Sequence, residues 1–165
     1  MKKRIAIASA MLLALAAPMR LVAHEDLAPA ANFQASENDG PAYPISGLRL
    51  QISSNVDDSS VLAELAEFKL TLGQVAEGFV GPAGPVPQTQ VRLIVAPYSN
   101  YHASAISAIT EQLSDHLKSE GFVNVMVFPR EEEIDPETGR DLRGVGQLTL
   151  NLVVRAELYR KRWLF

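Results

Sequence analysis

The sequence predicts an α/β domain: a two-layer sandwich in the order strand, helix, strand, helix, strand, strand, with a mixed sheet and two helices on one face. Apolar and polar residues alternate over residues 48–52 and again over 148–154, which is the period of a half-buried strand. Between them lie two stretches in which apolar residues recur every three or four positions, as on a helix that faces a core.

The first strand contains Leu48, Leu50 and Ile52, and a run of capping residues, 55–60, precedes the first predicted helix. That helix has an apolar stripe and ends at Gly81-Pro82. The stripe consists of Val61, Leu65, Phe68, Leu72, Val75 and Phe79. Residues 68, 70 and 72 are also apolar and alternate with polar ones, so the sequence leaves open whether residues 66–72 form a helix or a strand.

The second half of the domain follows a loop rich in proline and glycine. A second strand over 91–95 ends at Pro97, and a second helix over 101–120 ends at Gly121. The predicted buried face of this helix consists of Ala105, Ile106, Ile109, Leu113 and Leu117. A strand over 123–128, a charged loop over 130–146 and a final strand complete the domain. Helical connections predict that the first three strands are parallel and that the last pairs antiparallel at an edge.

The N-terminus is typical of a secretory signal peptide. Lys2, Lys3 and Arg4 precede an uncharged run over 5–19, and Ala23 suits the position before the cleavage site. The run is shorter than the roughly 20 apolar residues of a membrane-spanning helix, so we expect cleavage over retention as an anchor. We therefore divide the chain into a signal peptide (1–23), a flexible lead-in (24–44), the α/β domain (45–157) and a tail (158–165), and expect the protein in the periplasm or outside the cell.

Charge and cysteine content exclude several functions. The four basic residues of the signal leave with it and no acid does, so the net charge falls from −4 to −8. An acidic protein repels phosphate backbones, which argues against nucleic acid as a partner. The chain has no cysteine. Disulfides, acylation as a bacterial lipoprotein, thiol catalysis and thiolate metal sites are therefore excluded.

The order of elements resembles that of the periplasmic OmpA C-terminal-like domain. Val91–Pro97 lies where that family has its second strand, and 105–121 lies where it has its second helix. In that family an Asp and an Arg near this point bind the diaminopimelate of peptidoglycan. Residues 97–102 contain neither, so the resemblance implies the fold and not the binding site.

The layout of residues 43–155 also resembles the CpaD family of Tad pilus assembly proteins. Those proteins start with a segment like Tyr43-Pro44-Ile45, followed by a strand, an alanine-rich helix and a closing hydrophobic strand. The resemblance implies a partner in an envelope complex. CpaD proteins are usually lipoproteins, and this chain has no cysteine to acylate.

The candidate ligand-binding residues follow the second strand and precede the second helix. They are Tyr98, Ser99, Asn100, Tyr101 and His102. Ligands of parallel α/β sheets bind at such places, and helix N-termini attract anions. Capping and packing would explain the same residues without a ligand, and that interpretation is favoured.

The C-terminal tail mixes basic and aromatic residues, in contrast to the acidic domain. Its candidate partner-binding residues are Tyr159, Arg160, Lys161, Arg162, Trp163 and Phe165. Such a segment can fill a groove of a partner protein or contact an anionic membrane surface. Docking on the chain's own domain is an equal alternative.

Possible metal ligands have better explanations. His102 and His116 are about 21 Å apart if both lie on one helix. Residues 24–26 belong to the flexible lead-in, where ordering a site costs entropy. The acidic run over 131–141 spaces its carboxylates somewhat like a calcium loop but lacks the closing glutamate, and arginines are interleaved with it, so we interpret it as a solvated loop. We predict no metal and no cofactor.

These observations favour a non-enzymatic envelope protein. We expect a small periplasmic binding or assembly factor with a protein partner in a larger complex, such as a pilus or secretion system. Sequence motifs of serine hydrolases and zinc proteases are absent from the chain. The alternative is a small ligand-binding protein or hydrolase that uses residues 98–102.

Overall fold

The computed structural model describes residues 33–53 and 58–158, in which ten helices and strands occur. The two helices are α1 (Asp58–Ala66) and α2 (Ala103–Ser119). The strands are β1 (Ala42–Ile45), β2 (Gly47–Ile52), β3 (Lys69–Val75), β4 (Gly78–Val80), β5 (Gln88–Arg92), β6 (Ser99–His102), β7 (Phe122–Pro129) and β8 (Thr149–Leu158). A 3₁₀ turn, Glu37–Asp39, precedes β1.

These strands form two mixed sheets. The five-stranded sheet has the order β1-β6-β4-β3-β5, and its pairs are antiparallel except for the parallel pair β4–β6. The three-stranded sheet has the order β2-β8-β7, with β2–β8 parallel and β7–β8 antiparallel. The α/β class is confirmed. The predicted single sheet with three parallel strands is wrong, and β8 is antiparallel to the preceding strand but lies in the centre of its sheet.

The chain passes from one sheet to the other at Ser46. Ile45 ends β1 and is fully buried, whereas Ser46 already donates its amide hydrogen to the carbonyl oxygen of Leu148, 2.8 Å away. Tyr43 is buried as well. The predicted flexible lead-in (24–44) is therefore wrong for Ala42, Tyr43 and Pro44, which form β1 together with Ile45 and belong to the folded domain. β1 has only four residues, of which one is Pro44, and Pro41 precedes it, so it is too short to show a strand period.

The first helix was predicted to be longer than it is. α1 ends at Ala66, and β3 and β4 form an antiparallel hairpin where the helix was expected to continue. Leu70 and Leu72 are fully buried on β3, so the alternating pattern that was left open is the one that forms. The apolar residues satisfy both periods, and pairing of β3 with β5 decides between them.

The second helix is confirmed, with all five predicted residues buried. Ile109, Leu113 and Leu117 have no exposed surface, and α2 contacts β3, β4 and β6 of the five-stranded sheet as well as β7 of the three-stranded sheet. Burial of each such side chain contributes about 1.5–3 kcal/mol. The apolar face of α2 is therefore the layer through which the two sheets share one core.

Gln112 fixes α2 against β3 by hydrogen bonds. Its Oε1 accepts from the backbone amide of Thr71 and its Nε2 donates to the carbonyl oxygen of Thr71, both at 2.8 Å. β4 pairs with β3 only from Gly73 onward. The carboxamide of Gln112 thus completes the hydrogen bonding of β3 where β4 does not reach.

Replacing Gln112 by alanine should destabilise the domain by about 1–3 kcal/mol, because both backbone groups of Thr71 lose their partners in a partly buried place. Urea denaturation measures the change. Glu111→Ala on the exposed side of the same helix is the matched control and should have little effect. Equal destabilisation by the two variants would contradict this role.

Gly78 is required by the close approach of the β3–β4 hairpin to β6. Its φ is +147°, and a Cβ there would lie 2.0 Å from the carbonyl oxygen of Asn100. Gly78→Ala should therefore cost about 3 kcal/mol or more, because the two strands would have to separate.

Gly84→Ala is the control for the Gly78 variant. Gly84 has a φ of +56° with open space around it, so only backbone strain of about 1–2 kcal/mol is expected. Thermal unfolding of both variants separates the two effects. A Gly78 variant no less stable than the Gly84 variant would show that the strands do not meet as described.

Candidate functional site

The predicted ligand loop is not a loop. Ser99–His102 form β6, which pairs with β1 on one side and with β4 on the other. Because side chains alternate along a strand, the five candidate residues do not converge. Tyr98 and Asn100 are exposed, whereas Tyr101 and His102 are buried.

Tyr101 is a core residue. Its ring lies 4.9 Å from that of Phe79, centroid to centroid, and its hydroxyl donates to the carbonyl oxygen of Pro97 at 3.1 Å. Burial raises the pKa of Tyr101 to about 12, so the phenol stays neutral. This side chain therefore holds β6 and the segment before it in place.

His102 is the residue before α2, and it connects the helix to the segment that precedes β1. Its Nδ1 lies 3.2 Å from the carbonyl oxygen of Gly40, to which it donates in the Nδ1-protonated tautomer. The next residue, Ala103, donates its amide to the carbonyl oxygen of Pro41 at 2.9 Å. Within the described residues the buried Nε2 has no hydrogen-bond partner.

The start of α2 already carries a carboxylate of the protein itself. Asp39 accepts hydrogen bonds from Ser104 at 2.7 Å and from the amide and hydroxyl of Ser36 at 2.8 Å. Burial acts to raise the pKa of Asp39, but these hydrogen bonds outweigh it and lower the pKa below its usual value. The predicted anion-binding place is thus held by Asp39.

The charged loop, predicted to be solvated, contains a buried glutamate. Glu133 accepts hydrogen bonds from the amide of Asn151 at 2.8 Å and from the side chains of Asn151 and Gln147. This carboxylate attaches the loop to β8. Glu131 and Glu132 are exposed, as predicted. No sequence signal separated Glu133 from its two neighbours, because its partners lie 14 and 18 residues away.

The other carboxylates of the loop are used locally. Asp135 accepts from the hydroxyl of Thr138 and the amide of Glu137. Asp141 accepts two hydrogen bonds from the guanidinium of Arg143, at 2.7 and 3.0 Å, and a third from the backbone amide of Arg143 at 3.0 Å. In the described part of the chain no three His, Asp or Glu side chains gather as metal ligands do. His116 lies on α2, where its ring stacks on Phe68 at 4.5 Å.

Arg143 is a buried cation that sequence analysis missed. Its side chain is 1% exposed, and the bidentate pair with Asp141 balances its charge. The hydrogen bond from Arg143 is the main reason that the pKa of Asp141 lies below its usual value. Tyr43 is nearby, donating to the carbonyl oxygen of Gly139 at 2.7 Å, so the loop also packs against β1.

Replacing Asp141 by asparagine should destabilise the protein at neutral pH by about 1–3 kcal/mol, because Arg143 stays buried without its counter-charge. The pKa of Asp141 is lower in the folded state than in the unfolded chain, so its stabilising effect is complete above about pH 5 and is lost as the pH falls below about 4.

Urea denaturation at pH 7, 4 and 3 tests this expectation. The difference between wild type and Asp141→Asn should shrink as the pH falls. Asp115→Asn is the control, since its pair with Lys118 is exposed and worth under about 1 kcal/mol. A difference that stays constant down to pH 3 would rule out the ion pair as its source.

The most distinctive exposed feature of the described residues is the segment Leu93–Tyr98, which we call the 93–98 ridge. Ile94, Val95 and Tyr98 are 64%, 70% and 69% exposed. The second predicted strand was expected to include residues 93–95. Instead β5 ends at Arg92, and residues 93–95 form a turn. The sequence did contain a sign that the strand ends early. Residues 93–96 are four consecutive apolar residues, whereas in a half-buried strand only every second residue is apolar.

A groove lies on each side of the ridge. The first has a volume of about 240 Å³ and is lined by Leu48, Arg49, Leu50, Leu62, Leu65, Leu93 and Ile94. The second has a volume of about 470 Å³ and is lined by Gln74, Phe79, Thr89, Gln90, Val91, Arg92, Val95 and Pro97. Each lining includes one arginine and no acid, although the chain as a whole is acidic. The ridge is therefore apolar, and each groove beside it is bordered by one basic residue.

Several predicted features lie outside the described residues. These are the signal peptide, residues 24–26 and the tail residues from Tyr159 to Phe165. None of the helices in 33–53 and 58–158 is long and apolar enough to cross a membrane. The chain matches no protein-family model, no curated protein and no solved structure.

Proposed function

We propose that this protein is an exported, non-enzymatic binding or assembly factor of the cell envelope, and that it holds a protein partner at the 93–98 ridge. The observation that carries the proposal is the row of large apolar side chains exposed there between two grooves. Contiguous apolar surface is costly in water and marks interaction sites in soluble proteins.

The energetics of the ridge suit a protein contact. Covering a large apolar side chain completely contributes about 1.5–3 kcal/mol, so three such side chains contribute several kcal/mol. Association costs part of this in lost motion of the partners. A micromolar complex, about −8 kcal/mol, therefore needs the grooves as well as the ridge.

The arrangement of residues 98–102 favours binding of a protein over catalysis. A catalytic site needs a nucleophile, a base and its orienting group within hydrogen-bond reach of each other and of substrate. Here Tyr101 is committed to the core and His102 to Gly40, while Tyr98 belongs to the ridge.

The predicted signal peptide and the absence of cysteine support a place in the envelope without a lipid anchor. We propose that the complex is a pilus or a secretion system. The basic aromatic tail would supply a second contact with the partner or with a membrane surface.

A photo-crosslinking amino acid at position 94, in cells that export the protein, should give a discrete product with an envelope protein, identifiable by mass spectrometry. Val95→Asp in the same chain should reduce the yield at least about tenfold, because a carboxylate would have to be desolvated in the contact. The crosslinker at exposed Glu111 on α2 is the control and should give no such product.

The crosslinking experiment has clear contradicting results. No product from position 94, or an equal yield of the same product from position 111, would remove the ridge as a binding surface. Truncation after Leu158 in the crosslinking strain separates the tail: a lower yield assigns it a contact with the same partner, and an unchanged yield removes it from this interaction.

A further inference from the structure

β2 lies at one edge of the three-stranded sheet, and we call its side away from β8 the open edge. β2 has β8 on one side and no strand on the other within the described residues. Ser53, which follows β2, donates its amide to the carbonyl oxygen of Val154 on β8 at 2.8 Å. The backbone N–H and C=O groups of successive residues point alternately to the two sides of a strand. Because those of Ser53 point toward β8, those of Leu48, Leu50 and Ile52 point toward the open edge.

This edge has little protection against strand addition. Natural edge strands are blocked by prolines, bulges or several charges. β2 contains one charged residue, Arg49, and no proline, and its six residues pair with β8 in continuous register. Its backbone is therefore a regular template for another strand.

The first groove adjoins this edge and gives it an apolar floor. Leu48 and Leu50 are half-buried on the inner face of β2, beside fully buried Leu150 and Leu152. Leu62 of α1 and Ile94 of the ridge form the opposite side and are 47% and 64% exposed. A strand added about 4.8 Å from β2 would place every second side chain on this floor.

Charge indicates what the added strand carries on its other face. Arg49 is exposed on the outer face of β2, and it is the only charged residue that lines the first groove. Arg92 is the only one that lines the second. A cross-strand partner opposite Arg49 is favourable when it is acidic and unfavourable when it is basic. A second copy paired edge to edge would bring two Arg49 side chains to one short edge, which disfavours self-association.

We infer that the partner contributes an extended segment in which apolar residues alternate with acidic ones, and that this segment pairs with the open edge of β2. Its apolar side chains fill the first groove against Leu62 and Ile94, and an acidic side chain lies beside Arg49. Main-chain hydrogen bonds supply affinity, and the groove with Arg49 supplies specificity. This inference rests on the proposed function and names the class of partner.

Synthetic peptides of about seven residues test the inference on the protein purified after export. One probe alternates leucine or valine with glutamate, and its matched control replaces each glutamate by lysine. The glutamate peptide should bind at least about tenfold more tightly in calorimetric titration. Arg49→Glu should reverse this order and Arg49→Lys should preserve it. Arg49 is exposed, so thermal unfolding should show that both variants stay folded.

Amide hydrogen exchange identifies the mode of binding. The glutamate peptide should slow exchange at Leu48, Leu50 and Ile52 at least about fivefold and leave Gln51, which faces β8, unchanged. Equal affinity for the two peptides, absence of binding, or binding without slower exchange at these three amides would each overturn the inference. A dimer in sedimentation whose position-94 crosslink joins two copies of this chain would also overturn it.

The two proposals fail in different ways. If position 94 crosslinks an envelope protein while the β2 amides stay unprotected, the ridge is a binding surface and strand addition is wrong. If position 94 gives no product in cells, the proposed function fails even when the peptide binds in solution.

Discussion

The apolar face of α2 is the constraint on which the rest of this structure depends. Five strands and three strands form separate sheets, and α2 packs against both. Ile109, Leu113 and Leu117 are fully buried because α2 packs on strands of both. Gln112, on the flank of this face, adds two hydrogen bonds to β3 at a point that β4 does not cover. Position and tilt of the helix are thus set by packing and by directed bonds together.

The same constraint explains where the candidate binding surface lies. His102 and Asp39 fix the start of α2 by hydrogen bonds. The place that the sequence predicted for a ligand is therefore filled by the protein's own groups. The chain, by contrast, must cross from β5 at one edge of the five-stranded sheet to β6, with β3 and β4 in between. That crossing is the 93–98 ridge. Leu93 and Ala96 of this segment are buried in the core, whereas Ile94, Val95 and Tyr98 stay exposed and are available to a partner.

Charge is distributed unevenly over this framework. The loop of residues 130–146 contains many of the acidic residues of the domain. Two of them are not free surface charges, because Glu133 is buried and accepts a hydrogen bond from Asn151 of β8, and Asp141 neutralises buried Arg143. The two grooves beside the ridge each contain an arginine and no carboxylate. An acidic protein repels most acidic surfaces at long range, and an apolar recess bordered by an arginine still accepts an acidic apolar segment at short range.

By itself, the sequence determined the α/β class, the second helix with its buried face, and the strands around residues 48–52, 123–128 and 148–154. Each has a long or clean period that only one secondary structure satisfies. Residues 61–79 satisfy two periods, and there the predicted helix was half wrong.

Tertiary structure alone decided the two sheets, the place of β8 in the centre of one, the burial of Glu133, Arg143 and His102, and the exposure of Ile94 and Val95. The physical reason is that strand pairing and burial depend on partners far along the chain, such as Asn151 for Glu133, and a local pattern does not contain them.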